Sequence, residues 1–342
     1  MLRISKIFLF VTLAVIAIWQ LPWCYAFITT QSSPNQFVMY SSLLDDFIIS
    51  GFEEGKGITR HDLSGNLYTE QEVDSLLPVF YMRQLVADER FPDTLLGVPV
   101  SPKEIQQTTF NFRMRPSAIN TPQIGIYFLL ESMSKRVELK MPEDAFRFTS
   151  NSMEFIHMES NTVNKEKSNL FSNMLRQKGF CFPPREASGN PTTMKDYDNG
   201  YLLLDAKGKF FHMKRIQNSP YVKAISLPHG VEATHVFLTE FRNRQMLGFL
   251  TDSQHRLHVI QTNGNIVPTE IPAYNPEQDD LVIFGNKFDW TVKITTPNHT
   301  YYYAIRASDY SLLKTYEAPH LKSNLPGLSF TSPYDQYVKP RF

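Results

Sequence analysis

Apolar and polar positions follow their clearest pattern late in the chain, where one strand–turn–strand unit recurs three times. It runs first over 201–214, as Tyr-Leu-Leu-Leu, the polar turn Asp-Ala-Lys-Gly-Lys, and then Phe-Phe-His-Met-Lys. It returns over 247–260, and again over 290–305 around Pro297-Asn298-His299. The units begin at 201, 247 and 291, a spacing of about 45 residues that matches the repeat of β-propeller blades. His212 and His258 then occupy similar places in successive repeats.

Upstream, short apolar runs bounded by turn residues predict strands over 37–40, 47–50, 57–61, 108–113, 125–130 and 137–140, and a hairpin of 146–148 with 153–158. Strands over 221–227, 234–241, 266–271 and 281–284 fall between the repeats, and 328–331 and 337–338 close the chain. Two stretches have helical period instead. Over 69–88, Thr69 and Glu72 form a capping box ahead of Val73, Leu76, Leu77, Phe80, Met82 and Leu85, and Pro78 kinks or splits the helix. Over 162–178, Asn161 is the expected cap, Leu170, Phe171, Met174 and Leu175 the buried stripe, and Gly179 the stop. The proline-bearing stretches 91–102 and 181–199 read as loops.

The expected fold is mainly β with two helical insertions (α+β), with β-propeller-like repeats at least in the C-terminal half. One arrangement makes 37–342 a single propeller of about six blades, closed by the N-terminal strand. The other places an N-terminal β-rich region, 37–180, with both helices, beside a C-terminal β-repeat region, 190–342.

Residues 1–28 stand apart. Arg3 and Lys6 precede an uncharged run containing Ile7, Phe8, Leu9, Phe10, Val11, Leu13, Val15, Ile16 and Ile18, followed by Trp19 and Trp23. An uncleaved anchor over this length spans a bilayer with its Trp residues in the interfacial belt. A cleaved signal peptide ending at Cys24-Tyr25-Ala26 is the second reading. A lipoprotein signal at Cys24 is the third, and the bulky Trp23 before that cysteine argues against it. All three export the body, with a polar linker over 29–36, because positive charge stays in the cytoplasm.

Composition narrows the function classes. The chain has 342 residues, 42% apolar and 20% charged, enough to build a core. Lys plus Arg equals Asp plus Glu at 34 each, so no basic excess favours nucleic acid. Of two cysteines, Cys24 lies in the export segment, which leaves Cys181 without a disulfide partner in the body.

Sequence motifs for chemistry are sparse. Gly-x-Ser-x-Gly, His-Glu-x-x-His and Cys-x-x-Cys do not occur. Gly51–Lys56 is one residue short of a phosphate loop and carries two repelling glutamates. His229, Glu232 and His235 are spaced by three, which on a strand sends them to opposite faces. No catalytic, metal or cofactor residues are assigned. Arg90 and Asp93, Arg113 and Arg115, and the pair His212 and His258 are kept as polar-site candidates.

Several phrases resemble a known family. They are Arg83-Gln84-Leu85, 88–94, Ile124-Gly-Ile-Tyr-Phe-Leu-Leu-Glu-Ser132, 159–162, Ser188-Gly-Asn-Pro-Thr-Thr193 running into Tyr197–Tyr201, and 332–335 through 342. Together they are similar to the bacterial domain-of-unknown-function family numbered 4857. That resemblance implies an N-terminally anchored protein of Gram-negative bacteria, near ABC-transporter components, and implies no site residues. The resulting expectation is a single-pass inner-membrane protein, N-terminus in the cytoplasm and body in the periplasm. It would serve as a non-enzymatic binding or scaffold module, with a transporter subunit as a candidate partner. The alternative is a periplasmic enzyme acting on glycans or peptides, with its site in a channel or between domains.

Overall fold

The structure, a computed structural model, describes residues 2–29, 36–53, 55–133, 138–195, 197–296, 299–318, 328–330 and 338–340. It is mostly β, 38% strand and 20% helix, in several separate sheets. The chain divides into two units: 1–37, 50–59 and 319–342 form one, and 38–49 with 60–318 the other.

The smaller unit holds the helix Leu2–Thr29, the hairpin end 50–59 and the short pair Leu328–Phe330 with Val338–Pro340. The helix is apolar around its whole circumference, and no residue of its 3–21 segment, of mean hydropathy 2.1, is buried. Such a surface is stable only in lipid or against a partner. The segment's length and composition fit a membrane span and an export signal equally.

In the larger unit, antiparallel sheets follow one another in series. Asp144–Phe148, Met153–His157 and Thr162–Asn164 form the first. Glu186–Gly189, Tyr201–Leu204, Phe210–Ile216 and Ser219–Ile225 form the second. Ala233–Leu238, Met246–Asp252, Leu257–Gln261 and Ile266–Pro268 form the third. Asp280–Gly285, Asp289–Thr295, Thr300–Arg306 and Leu312–Ala318 form the fourth, and Phe110–Met114 adds a fifth strand along Asp280–Gly285. The strands Phe37–Ser41 and Asp46–Glu53 also pair, and their 38–41 and 46–49 portions belong to this unit.

Period-two alternation sends each strand's side chains into two different cores. Tyr201 and Leu203 join Phe146, Phe155 and Phe171, whereas Leu202 and Leu204 join Val236, Leu250 and Ile260. Phe249 and Val259, on the far face of the third sheet, pack with Trp290 and Val292. Tyr302 and Ala304 pack with Val38 and Phe47. Sheets buried on both faces explain why the repeats read as near-continuous apolar runs. Each fully buried Phe or Leu contributes roughly 1.5–3 kcal/mol. Among the described residues the sheets close into neither a barrel nor a propeller.

The first two of the three repeats are organised by a buried aspartate in the turn. Asp205 accepts from the amides of Lys207 and Lys209, and Asp252 from those of Gln254 and Arg256. Asp62 does the same for Asn66 in the early turn 62–66. Counting from these aspartates, His212 is seven residues on and His258 six, so the two histidines are not equivalent. A one-residue offset along a strand reverses the face.

Besides Leu2–Thr29, five helices occur among the described residues, where two insertions were expected in the body. The capping box at Thr69 is present, with the Thr69 amide donating to Glu72 at 2.7 Å. Pro78 splits the expected helix into Glu70–Leu76 and Met82–Ala87. The second helix is Lys165–Gln177 and its cap is Asn164, not Asn161, because Asn161 takes a left-handed φ of 51° in the preceding turn. Ser168 and Ser172 of this helix accept the amides of Phe155 and Met153. The stretch 91–102, expected as a loop, is irregular apart from the short pair Thr94–Leu95 with Val98–Pro99. Proline at a first helical position starts two short helices that were not expected, Pro102–Thr108 and Pro116–Asn120. The predicted strand 125–130 is a single bridge of Tyr127 to Phe146, and 138–140 carry no strand; Val137 lies outside the described residues.

Candidate functional site

The sequence Glu186-Ala187-Ser188-Gly189, expected as loop, is the edge strand of the second sheet. Ala187 packs in the core with Phe146 and Tyr201. Gly189 pairs with Tyr201, whose ring lies where a Cβ would stand, 2.4 Å from its nearest ring carbon. The side chains of Glu186 and Ser188 turn to the next sheet. They accept hydrogen bonds from the otherwise unpaired edge amides of Val236 and Leu238, at 3.2 and 2.9 Å.

Where these two edges meet there is a cavity of about 320 Å³. Its walls include Met114, Ile119, Ile126, Tyr127 and Phe237, with Glu186, Ser188 and Gln123 supplying polar atoms. Ile124 and Ile126 beside it are exposed, Ile124 by 90%. The volume lies in the range of small-molecule sites. Burial pushes the Glu186 carboxyl up to about 8, although the Val236 amide and the Arg185 charge pull the other way. At neutral pH this group is mostly a neutral acid. No second carboxylate and no histidine lines the cavity among the described residues, so it does not assemble the acid pair of a glycosidase.

A smaller cavity, about 60 Å³, has Leu76, Leu77, Phe80, Leu95 and Phe284 in its walls together with Asp289. Burial raises the Asp289 carboxyl to about 6, while Ser42 and Asn286 donate to it. Those bonds tie the turn after Phe37–Ser41 to the start of Asp289–Thr295, which is a structural task.

The polar candidates from sequence are dispersed. Arg90 donates to the Gln71 carbonyl and Ser75 hydroxyl at 2.7 Å and pairs with Asp88, whereas Asp93 is exposed. Arg113 is exposed on Phe110–Met114, and Arg115 precedes the helix Pro116–Asn120. The His212 ring donates from Nε2 to the Asn199 carbonyl at 2.6 Å; burial pushes it down to about 4, against the pull of that bond. His258 donates from Nε2 to Asp252 at 3.0 Å. Burial alone would raise Asp252, but the bonds from Arg256 and His258 hold its carboxyl below the usual range. Neither histidine reaches the larger cavity.

Sequence reasoning missed Glu186 and Ser188. The available signal was their spacing by two, with the small Ala187 between, ahead of the strand of large apolar side chains at 201–204. Ile7 through Ile18 and Trp19 of the proposed anchor are all in the Leu2–Thr29 helix, as is Trp23.

The family model described as Domain of unknown function (DUF4857) matches residues 37–305, and the chain belongs to that family. The similar phrases at 332–342 fall outside the matched span. No curated protein matches. A solved structure of PorZ, described as an essential bacterial surface component of the type-IX secretion system of Porphyromonas gingivalis, is 12% identical with a TM-score of 0.27. That likeness covers 83% of this chain and 27% of the other, so this chain spans about a quarter of its length. The structure of BBS1N in complex with ARL6DN is 10% identical, covers 82% of this chain and 91% of that one, and also has a TM-score of 0.27.

Proposed function

We propose that this family member is a membrane-tethered envelope protein whose β body binds a small molecule in the cavity beside Glu186. The apolar helix Leu2–Thr29 stays in the inner membrane, Arg3 and Lys6 remain on the cytoplasmic side, and the body faces the periplasm. The body, read as serial propeller-like blades, acts as a rigid scaffold that presents the bound molecule to a membrane partner such as a transporter subunit. The supporting observation is the exposed apolar helix, whose composition suits lipid.

Fractionation tests the placement. The full chain should resist carbonate extraction, and protease added to intact spheroplasts should digest the body. Extraction without detergent, or full protection in spheroplasts that becomes digestion on lysis, refutes it.

A second reading, an enzyme acting on glycans or peptides, draws on Glu186. A carboxyl that keeps its proton near neutral pH is suited to protonating a leaving group. Loss of a measured hydrolytic activity in Glu186→Gln, with the fold intact, would favour it.

A further inference from the structure

We infer that the cavity between the edge strands Glu186–Gly189 and Ala233–Leu238 takes a small organic cation, its ammonium seated on Glu186 and its apolar body against Ile126, Tyr127 and Phe237. This rests on the cavity being a ligand site. Among the described residues the one hydrogen-bond partner of the Glu186 carboxyl is the Val236 amide, which needs only an acceptor oxygen. Among the described residues no lysine, arginine or histidine lines the cavity, and the positive charge that acts on the acid, that of Arg185, stands outside the lining. The nearest cation in sequence, Arg185, reaches the turn at Gly208 instead, its Nη1 standing 3.4 Å from where a Cβ on Gly208 would lie. The other titratable groups in the lining are Tyr127 and Tyr201, both raised by burial and neutral, and Tyr201 donates to the Phe128 carbonyl.

An aromatic and aliphatic wall with one unmatched carboxyl fits a cation better than the alternatives. Aromatic faces attract an ammonium, and that attraction strengthens in a site shielded from water. An anionic ligand would find no positive partner. A neutral ligand would leave the acid as it is. On binding, the neutral carboxyl loses its proton to the buffer and the carboxylate pairs with the incoming ammonium, so one proton is released for each cation bound.

Calorimetric titration of the detergent-solubilised full chain with benzylamine, benzyl alcohol and benzoate, against detergent blanks, provides the test. Benzylamine should bind, and buffers of different ionisation enthalpy should report release of most of a proton at pH 6.5. Its affinity should rise about tenfold from pH 6 to pH 7. Glu186→Gln should weaken it more than tenfold and abolish the proton release. Ile126→Trp, which fills the cavity from its rim, should block binding with the carboxyl intact, and it serves as the control if Glu186→Gln does not fold. Benzyl alcohol or benzoate binding as tightly as benzylamine, or benzylamine binding that survives both variants, overturns the cation while leaving a ligand site elsewhere or of other chemistry. Failure of all three probes to bind a folded protein removes both the cation and the cavity as a site.

Discussion

Replacing Glu186 with Gln should flatten the pH dependence of stability between pH 4.5 and 8. Gln keeps an oxygen for the Val236 amide, so the hydrogen bond at 3.2 Å survives and only ionisation is removed. In the folded protein the carboxyl is raised to about 8 from an ordinary 4.5. Between those values the native state holds a proton that the unfolded chain has released, so wild-type stability falls as pH rises and levels off above 8. At about 1.4 kcal/mol per pKa unit the full shift corresponds to roughly 5 kcal/mol, and the part of the residue that solvent reaches reduces this to about 2–4 kcal/mol. Wild type and variant should therefore be of similar stability at pH 4.5, and the variant more stable by about 2–4 kcal/mol at pH 8. Urea unfolding of the two proteins at pH 4.5, 6, 7 and 8, followed by tryptophan fluorescence, measures the difference. Parallel pH profiles would refute the placement of an uncompensated carboxyl in this cavity.

Other substitutions probe the same layer and its neighbours. Lys195 bonds to Asp198 at 2.6 Å and Glu240 at 2.5 Å with all three side chains nearly buried, so Lys195→Ala leaves two stranded acids. The expected cost is about 3–5 kcal/mol, and a loss below 1 kcal/mol in urea midpoints would show that the pair is solvated. Gly200 has φ +67°, and a Cβ there would stand 2.2 Å from the Met213 carbonyl oxygen, so Gly200→Ala should cost more than ~2 kcal/mol. A thermal melt within error of wild type would contradict that close approach. His212, pushed down to about 4, should show no ring titration between pH 5.5 and 8 by NMR. Its folded value lies below the ordinary 6.5, so it costs stability as pH falls from 6.5 toward 4 and nothing above.

The doubly buried strands could be read from sequence because burial on both faces leaves little choice of residue. Tyr201–Leu204 and Met246–Asp252 are apolar nearly throughout, and the polar aspartate turns that end them punctuate the pattern. Glu186–Gly189 could not be read this way. None of its four residues favours a strand, and its extended state comes from pairing with Tyr201–Leu204 and from side chains that satisfy another sheet's edge. The same tertiary origin hides the cavity, whose lining comes from segments as distant as Met114 and Phe237. The histidines show how little separates a correct repeat from a wrong register. Aligned by apolar runs, His212 and His258 coincide; aligned by Asp205 and Asp252, His258 matches Phe211 and His212 matches Val259. The aspartate alignment is the physical one, because those carboxylates hold the turn amides that fix where each second strand begins. Phe211 and His258 then both face the preceding sheet, Phe211 in the core with Phe180 and His258 alternating with Leu257 and Val259, which pack toward Trp290. Pairing of residues between repeats therefore has to be set by the groups that terminate a strand, since hydrophobicity alone tolerates a slip of one.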